Sequence, residues 1–209
     1  IAEKDGKTKI TPGGIKQTYD YKRQFQKLND RDYERHIRGE IYLTSVPLRP
    51  DGTCNWGAID VDTYDKSFID QIILKAAKTP LIPVISASGG LHLYIHSKQF
   101  IAADLMRLTL RKLADLIGLN KVEIFPKQGD LNSGKGVGNG IKLTCYKIDQ
   151  EKLSNHLSLI ESKAQDEDYF ISFKHLTKPE EQPKEELKES KVDTNDLNKI
   201  IKNLKNKKD

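Results

Sequence analysis

Two aspartates, Asp60 and Asp62, end an apolar stretch that begins at Trp56. In an extended strand, residues i and i+2 project from the same face, so the two carboxylates would lie side by side. Like charges at that spacing repel each other unless a cation lies between them, and hard divalent cations prefer carboxylate oxygens. Taken alone, the pair is more typical of a strand that runs into a turn, so the sequence downstream has to distinguish a turn from a metal site.

Two further polar residues follow the pair at even intervals. His92 lies 32 residues after Asp60, and Glu123 lies 31 residues after His92. Each lies on or at the end of a predicted strand, and a predicted helix separates each pair, so the three strands can be neighbours in one sheet. Asp60, Asp62 and Glu123 would then supply three carboxylates to one place, which predicts a divalent-metal site that binds a nucleoside triphosphate through its phosphates.

The turn 86–90 is composed of serine, alanine and glycine and precedes His92 directly. Ser88 offers a hydroxyl and Gly89 a bare backbone amide, and such groups suit phosphate oxygens. We expect His92 to donate to a phosphate. A histidine that alternates with leucines is otherwise typical of a hydrogen-bonded residue within a sheet.

Two lysines are candidates for the same triphosphate. Lys127 lies four residues after Glu123, and Lys142 lies on a later predicted strand. The glycine-rich loop 134–140 lacks the Gly-Lys-Ser/Thr sequence that opens a helix, which excludes a P-loop. A flexible loop at the active site and a plain solvent loop are equally open interpretations of that segment.

The composition limits the class of protein. The chain has 209 residues, a net charge of +5 and a pI of about 9.0, which mildly favours a polyanionic partner. No apolar run approaches the roughly 20 residues that span a bilayer, and no leader precedes the first element, so we expect a cytoplasmic protein without a membrane partner. The two cysteines form no Cys-x-x-Cys pair, so we expect no zinc. The chain begins with Ile1, which suggests an excerpt of a longer protein.

The elements that position these residues alternate between strands and helices, which predicts an α+β fold with an antiparallel or mixed sheet. A turn at 49–53 should fold strand 41–46 back against the strand that carries Asp60. The remaining predicted elements are one or two helices from 21 to about 37, a helix capped by Asp65 or Ser67, strands at 81–86 and 91–96, a helix at about 102–117, strands at 122–125 and 141–148, a helix around 153–164, and a last strand or packing segment at 169–173.

Three segments differ in composition. Residues 1–20 are polar and predict a flexible arm, and residues 21–176 hold the predicted catalytic domain. Residues 177–209 are highly charged and without aromatic residues, which predicts a linker or tail. Within that tail, a short amphipathic helix is possible over the four apolar residues Leu197, Ile200, Ile201 and Leu204.

Four stretches together resemble the primase–polymerase domain of the archaeo-eukaryotic primase superfamily, and in particular the branch of phages, plasmids and TOTE-type conflict systems. They are residues 56–62, 88–95, 122–128 and 138–143. The first motif of the family, a hydrophobic strand that ends in Asp-x-Asp, matches Asp60 and Asp62. The second, a small-residue turn before a histidine, matches Ser88 and His92. The third, an acidic residue on a strand, matches Glu123.

The resemblance implies an RRM-like catalytic core with an N-terminal α/β module, and template-directed nucleotidyl transfer by a DNA primase or polymerase. It implies that Asp60, Asp62 and Glu123 hold two Mg²⁺ or Mn²⁺ ions. The groups that grip the phosphates would be His92, Ser88 and Lys127, and those that line the nucleotide pocket would be Asn139 and Lys142.

The implied partners are a single-stranded or primed DNA template, nucleoside triphosphates, and a helicase or other replication protein fused or encoded nearby. The implied setting is the replication or repair system of a phage or mobile element. The sequence departs from the family pattern at Leu143-Thr144, where relatives often have Leu-Pro, and neither a zinc module nor a helicase is visible. Two alternatives stay open, a Rep-like or metal-dependent nuclease and a non-catalytic nucleic-acid-binding module.

Overall fold

The computed structural model describes residues 7–11, 14–18, 28–86, 89–129 and 140–174. The strands within these ranges are β1 (Lys7–Thr11), β2 (Gly14–Thr18), β3 (Thr44–Ser45), β4 (Thr53–Val61), β5 (Ile82–Ile85), β6 (Leu91–Ala102), β7 (Glu123–Phe125) and β8 (Ile141–Lys142). The helices are α1 (Asp30–Ile37), α2 (Lys66–Ala76), α3 (Ala103–Leu116), α4 (Gln150–Lys163) and α5 (Glu167–Ser172). The predicted α+β fold with an antiparallel sheet is confirmed.

The central sheet has four strands in the order β5-β6-β4-β7, and every neighbouring pair is antiparallel. Pro83, which cannot donate a backbone hydrogen bond, lies on the edge strand β5, as its presence in a strand predicts. Along β4 and β6 the side chains alternate between the two faces. One face carries the main core with α2 and α3, and the other carries the candidate site beside a smaller apolar cluster of Ala58, Ile82, Tyr94, Phe125 and Ile141.

Helix α3 lies directly against β4 at Gly57. A Cβ atom added at Gly57 would lie 2.7 Å from the carbonyl oxygen of Phe125 and 2.8 Å from side-chain atoms of both Met106 and Leu110. No side chain larger than hydrogen fits there, because two of these contacts belong to the helix and the third to the backbone of β7. Gly57 therefore sets the distance between α3 and the strand that carries Asp60.

Replacing Gly57 with Ala should lower the free energy of unfolding by about 1–3 kcal/mol, because the added methyl overpacks a closed site. Urea denaturation followed by circular dichroism measures the change. Gly90→Ala is the matched control, because a Cβ atom there would meet its nearest neighbours at 3.4–3.6 Å, ordinary contact distances. Equal stability of the two variants would contradict the packing assigned to Gly57.

The partner of β3 differs from the prediction. The turn at 49–53 forms as expected. Asp51 accepts hydrogen bonds from the backbone N–H and the hydroxyl of Thr53, and Gly52 has φ +76°. However, β3 pairs with β8, and not with β4. The predicted hairpin is wrong because turn chemistry fixes where the chain reverses, but long-range packing decides which strand is the partner.

His36 on α1 holds the β3–β8 pair in place. Its Nε2 lies 2.9 Å from the carbonyl oxygen of Thr144, and a carbonyl only accepts, so Nε2 carries a proton. Its Nδ1 lies 3.3 Å from both the backbone nitrogen of Leu43 and the carbonyl oxygen of Ile41. One buried imidazole thus joins α1, the segment before β3 and the segment after β8.

The predicted helix ends are confirmed where the chain offers a cap. Asn29 and Asp32 form a capping box at α1, and Asp65 caps α2. For 169–173 the sequence left a last strand and a packing segment open. The segment packs and does not form a strand, because α5 extends to Ser172 and buries Phe170 completely. Strands β3 and β8 are each two residues long, much shorter than the stretches predicted at 41–46 and 141–148.

The N-terminal segment predicted to be a flexible arm contains β1 and β2, which form an antiparallel hairpin. The predictions for 21–27, for most of the loop 129–140 and for the tail 177–209 fall outside the described residues, and the domain boundaries remain predictions. Within the part of the chain that is described, every helix is too short or too polar to cross a membrane.

Candidate active site

Asp60, His92 and Glu123 form one row across the central sheet. Asp60 on β4 is directly opposite His92 on β6 and, on its other side, directly opposite Glu123 on β7. Directly opposed residues on neighbouring antiparallel strands point to the same face, with Cβ atoms about 4.5–5.5 Å apart. The strands that carry the three residues are therefore neighbours, as the spacing in the sequence predicts.

Asp62 lies one residue beyond the end of β4 and is exposed. Its negative charge acts on the imidazole of His92, where it raises the pKa. The part of Asp62 in a metal site remains a prediction.

The carboxylate of Glu123 forms an ion pair with Lys127, with Oε2 and Nζ 2.8 Å apart. The side chain of Glu123 is 56% exposed, so it has room to turn. As placed among the described residues, no three carboxylate, histidine or cysteine side chains stand together closely enough to hold one metal ion. The carboxylates of Asp60 and Glu123 nevertheless suit Mg²⁺ or Mn²⁺, because these ions prefer oxygen ligands and the two residues lie opposite each other on adjacent strands.

A chain of hydrogen bonds fixes the ring of His92. The hydroxyl of Tyr94 lies 2.6 Å from the carbonyl oxygen of Lys142 and must donate to it, because a carbonyl only accepts. Nδ1 of His92 lies 3.0 Å from the same hydroxyl oxygen, whose single proton is already used. Nδ1 therefore carries a proton and donates it to Tyr94.

Burial and, to a smaller extent, the positive charge of Lys142 lower the pKa of His92, Asp62 opposes both, and the net value is about 4. The imidazole is consequently neutral near neutral pH, with its proton on Nδ1. Nε2 then has a lone pair and no hydrogen. The role of His92 towards a phosphate remains a prediction.

The turn before His92 uses most of the described amides internally. Ser86 N–H donates to Gly90 O, Gly89 N–H to Ser86 O, and Gly90 N–H to the Ser86 hydroxyl. The expectation of bare amides is therefore wrong for these residues, because their N–H groups donate hydrogen bonds within the turn. Gly89 is required for its backbone conformation, with φ +89°. Ser88 lies outside the described residues, as does Asn139.

Lys142 on β8 lies beside the row. Its carbonyl oxygen accepts from Tyr94, and its ammonium lies 5.3 Å from the ring centroid of Tyr42. Tyr42 in turn stacks on Tyr146, with ring centroids 3.6 Å apart. Two aromatic rings and the β3–β8 pair thus place the positive charge of Lys142 near His92.

Tyr94 is the site residue that the sequence reasoning missed. A signal was present, because Tyr94 follows His92 by two residues on a strand and must share its face. What the sequence did not contain was the position of the Lys142 carbonyl, which depends on where β8 pairs.

The central sheet thus carries an aspartate, a histidine and a glutamate in one row. The family model described as "TOTE conflict system, Archaeo-Eukaryotic Primase domain" matches residues 6–189, and the chain belongs to this family. The resemblance found in the sequence is thereby confirmed, and the family is one of primase-type nucleotidyltransferases. No curated protein is similar enough to this chain to count as a match.

Proposed function

We propose that this domain catalyses template-directed nucleotidyl transfer, as a metal-dependent DNA primase or polymerase. The observation that carries the proposal is the register of the central sheet, in which Asp60 lies between His92 and Glu123. Nucleotidyl transfer needs carboxylates grouped for divalent cations and positive groups beside them for the triphosphate. The row and its two neighbouring lysines supply both kinds of group on one face.

In this proposal Asp60, Asp62 and Glu123 hold two Mg²⁺ or Mn²⁺ ions. Such ions, when bound, make the attacking 3′-hydroxyl more acidic and neutralise the triphosphate. The ion pair with Lys127 has a direct consequence for binding, because Glu123 must release Lys127 in order to act as a ligand. The released ammonium is then available to the phosphates, so that one side-chain movement prepares both the metal ligand and the phosphate contact.

Lys142 supplies a second positive charge, and its place is set by Tyr42 and by the hydrogen bond from Tyr94. The net charge of +5 supports a DNA template as the macromolecular partner. We further propose that the domain acts in replication or repair within a phage or mobile element, together with a helicase or another replication protein.

Primer extension tests the proposed function. The protein, a labelled primer on a DNA template, nucleoside triphosphates and Mn²⁺ should yield primers lengthened according to the template sequence. Separate reactions with deoxynucleotides and ribonucleotides identify the preferred substrate. Omission of the template should abolish sequence-dependent products.

Two other results would replace this proposal. Cleavage of single-stranded DNA in the absence of nucleotides would assign a nuclease. Salt-sensitive DNA binding without heat of binding for a deoxynucleotide in the presence of Mg²⁺, measured by calorimetry, would assign a non-catalytic binding module.

A further inference from the structure

Two histidines lie at the contact between β6 and α4, His96 on the strand and His156 on the helix. Nε2 of each ring is buried and has no hydrogen-bond partner among the described residues. A protonated imidazole carries an N–H at both nitrogens, and at Nε2 this donor would be buried without an acceptor. The contact therefore favours the neutral form of both rings.

Helix α4 is held on the sheet by few contacts, and each of its residues is at least partly exposed. Ile160 packs against the smaller apolar cluster on the site face of the sheet. The ammonium of Lys163 donates to the carbonyl oxygens of Thr79 and Leu81, at 3.1 Å each. Elements with so few buried apolar contacts open locally at a small cost in free energy, so a modest change at the histidines is enough to separate α4 from β6.

The charged groups on the surrounding elements do not offset a proton on either ring. On β4 the residue opposite His96 is Trp56, and Asp60 lies opposite His92 instead. Strand β5 contains no charged residue, the two glutamates of α4 are exposed, and α3 and α5 pack on the other face of β6. The lysines of β6 and α4 have other partners, which are Asp166 for Lys98, Asp149 for Lys152 and the two carbonyls for Lys163.

We propose that His96 and His156 form a pH-sensitive switch, which keeps α4 docked on the site face of the sheet while both rings are neutral and releases it when they take up protons. The switch does not depend on the proposed catalysis. It lies on the strand that carries His92 and Tyr94, four residues beyond His92. Release of α4 would therefore expose the sheet next to the candidate active site.

The direction of the pH dependence follows from the pKa values of the two rings. Burial, and then the charge of His156, lower the pKa of His96 to about 4, and burial also lowers the pKa of His156. Once α4 has separated, the rings are in water, where the pKa of histidine is about 6.5. The separated state thus binds protons more tightly, and docking of α4 weakens as the pH falls below about 6.5.

Hydrogen exchange of the full chain at about pH 7.5 and 5.5, followed by mass spectrometry and expressed as protection factors, tests the switch. His96 alone should raise the opening constant of α4 about tenfold at the lower pH, because its pKa is about 4 in the docked state and about 6.5 in the separated one. Helix α3 is the internal control. It contains no histidine and packs on the other face of the sheet, so its protection should stay the same.

The double variant with His96→Leu and His156→Leu removes both titrating groups and keeps apolar side chains in the contact. Its α4 should have the same protection at both pH values. Asn155→Leu is the matched control, because it places the same side chain at an exposed neighbouring position of α4 and should keep the response of the wild type.

Equal protection of α4 at both pH values in the wild type would overturn the inference, and so would a response that persists in the folded double variant. If the double variant does not fold, NMR titration of the imidazoles in the wild type decides. A pKa of His96 well below 6.5, together with loss of α4 protection at the lower pH, supports the switch. An ordinary pKa for both rings overturns it.

Discussion

Replacing Asp60 with Asn lowers the rate of nucleotide incorporation about a thousandfold in the primer-extension assay while the protein stays folded. Asp60 is the centre of the row and has neighbours in register on both sides. Bound metal ions contribute several kcal/mol to phosphoryl-transfer transition states, and about 4 kcal/mol corresponds to a factor of about a thousand in rate. Single-turnover extension with saturating Mn²⁺ and nucleotide measures the effect.

The matched control is Asp70→Asn, which removes the same charge from an exposed position on α2. Helix α2 packs on the opposite face of the sheet, so this variant should extend primers at the wild-type rate. Circular dichroism of both variants confirms that they are folded. Wild-type extension by Asp60→Asn would show that the row is not the active site.

Replacing Phe170 with Ala should have the largest effect on stability, a loss of about 3–5 kcal/mol in the free energy of unfolding. Phe170 is completely buried in the main core, although α5 has only six residues. Removal of the ring leaves a cavity between α5 and the elements it packs against, α3 and β6. Urea denaturation at several protein concentrations measures the loss.

Phe68→Ala is the control for this substitution. It removes the same ring from α2, where Phe68 is 39% exposed, and should cost much less than Phe170→Ala. If the two variants unfold at the same urea concentration, α5 does not anchor to the core in the way that its burial indicates.

The row of site residues was predictable because it depends on local patterns. Asp60, His92 and Glu123 each lie on or at the end of a short apolar stretch, and the helices between them are long enough to return the chain to the same sheet. The caps at Asn29 and Asp65 were equally readable, since capping depends on residues only three positions apart.

What the sequence could not supply is determined by long-range contacts. The pairing of β3 with β8 places the carbonyl of Lys142, and only then does Tyr94 acquire its hydrogen-bond partner. At 169–173 the apolar run is too short for its period to distinguish a strand from a helix, and burial of Phe170 decides in favour of the helix. The ion pair between Glu123 and Lys127 was equally hard to predict, because their spacing in the sequence does not show that the two side chains meet.

The most direct test of the metal site is a crystal structure with Mn²⁺ and a nucleoside triphosphate, recorded at a wavelength where manganese scatters anomalously. We expect anomalous peaks within about 2.0–2.6 Å of carboxylate oxygens of Asp60 and Glu123, with Glu123 released from Lys127. A triphosphate bound with its Mn²⁺ away from these carboxylates, or Glu123 still paired with Lys127 beside a bound nucleotide, would contradict it.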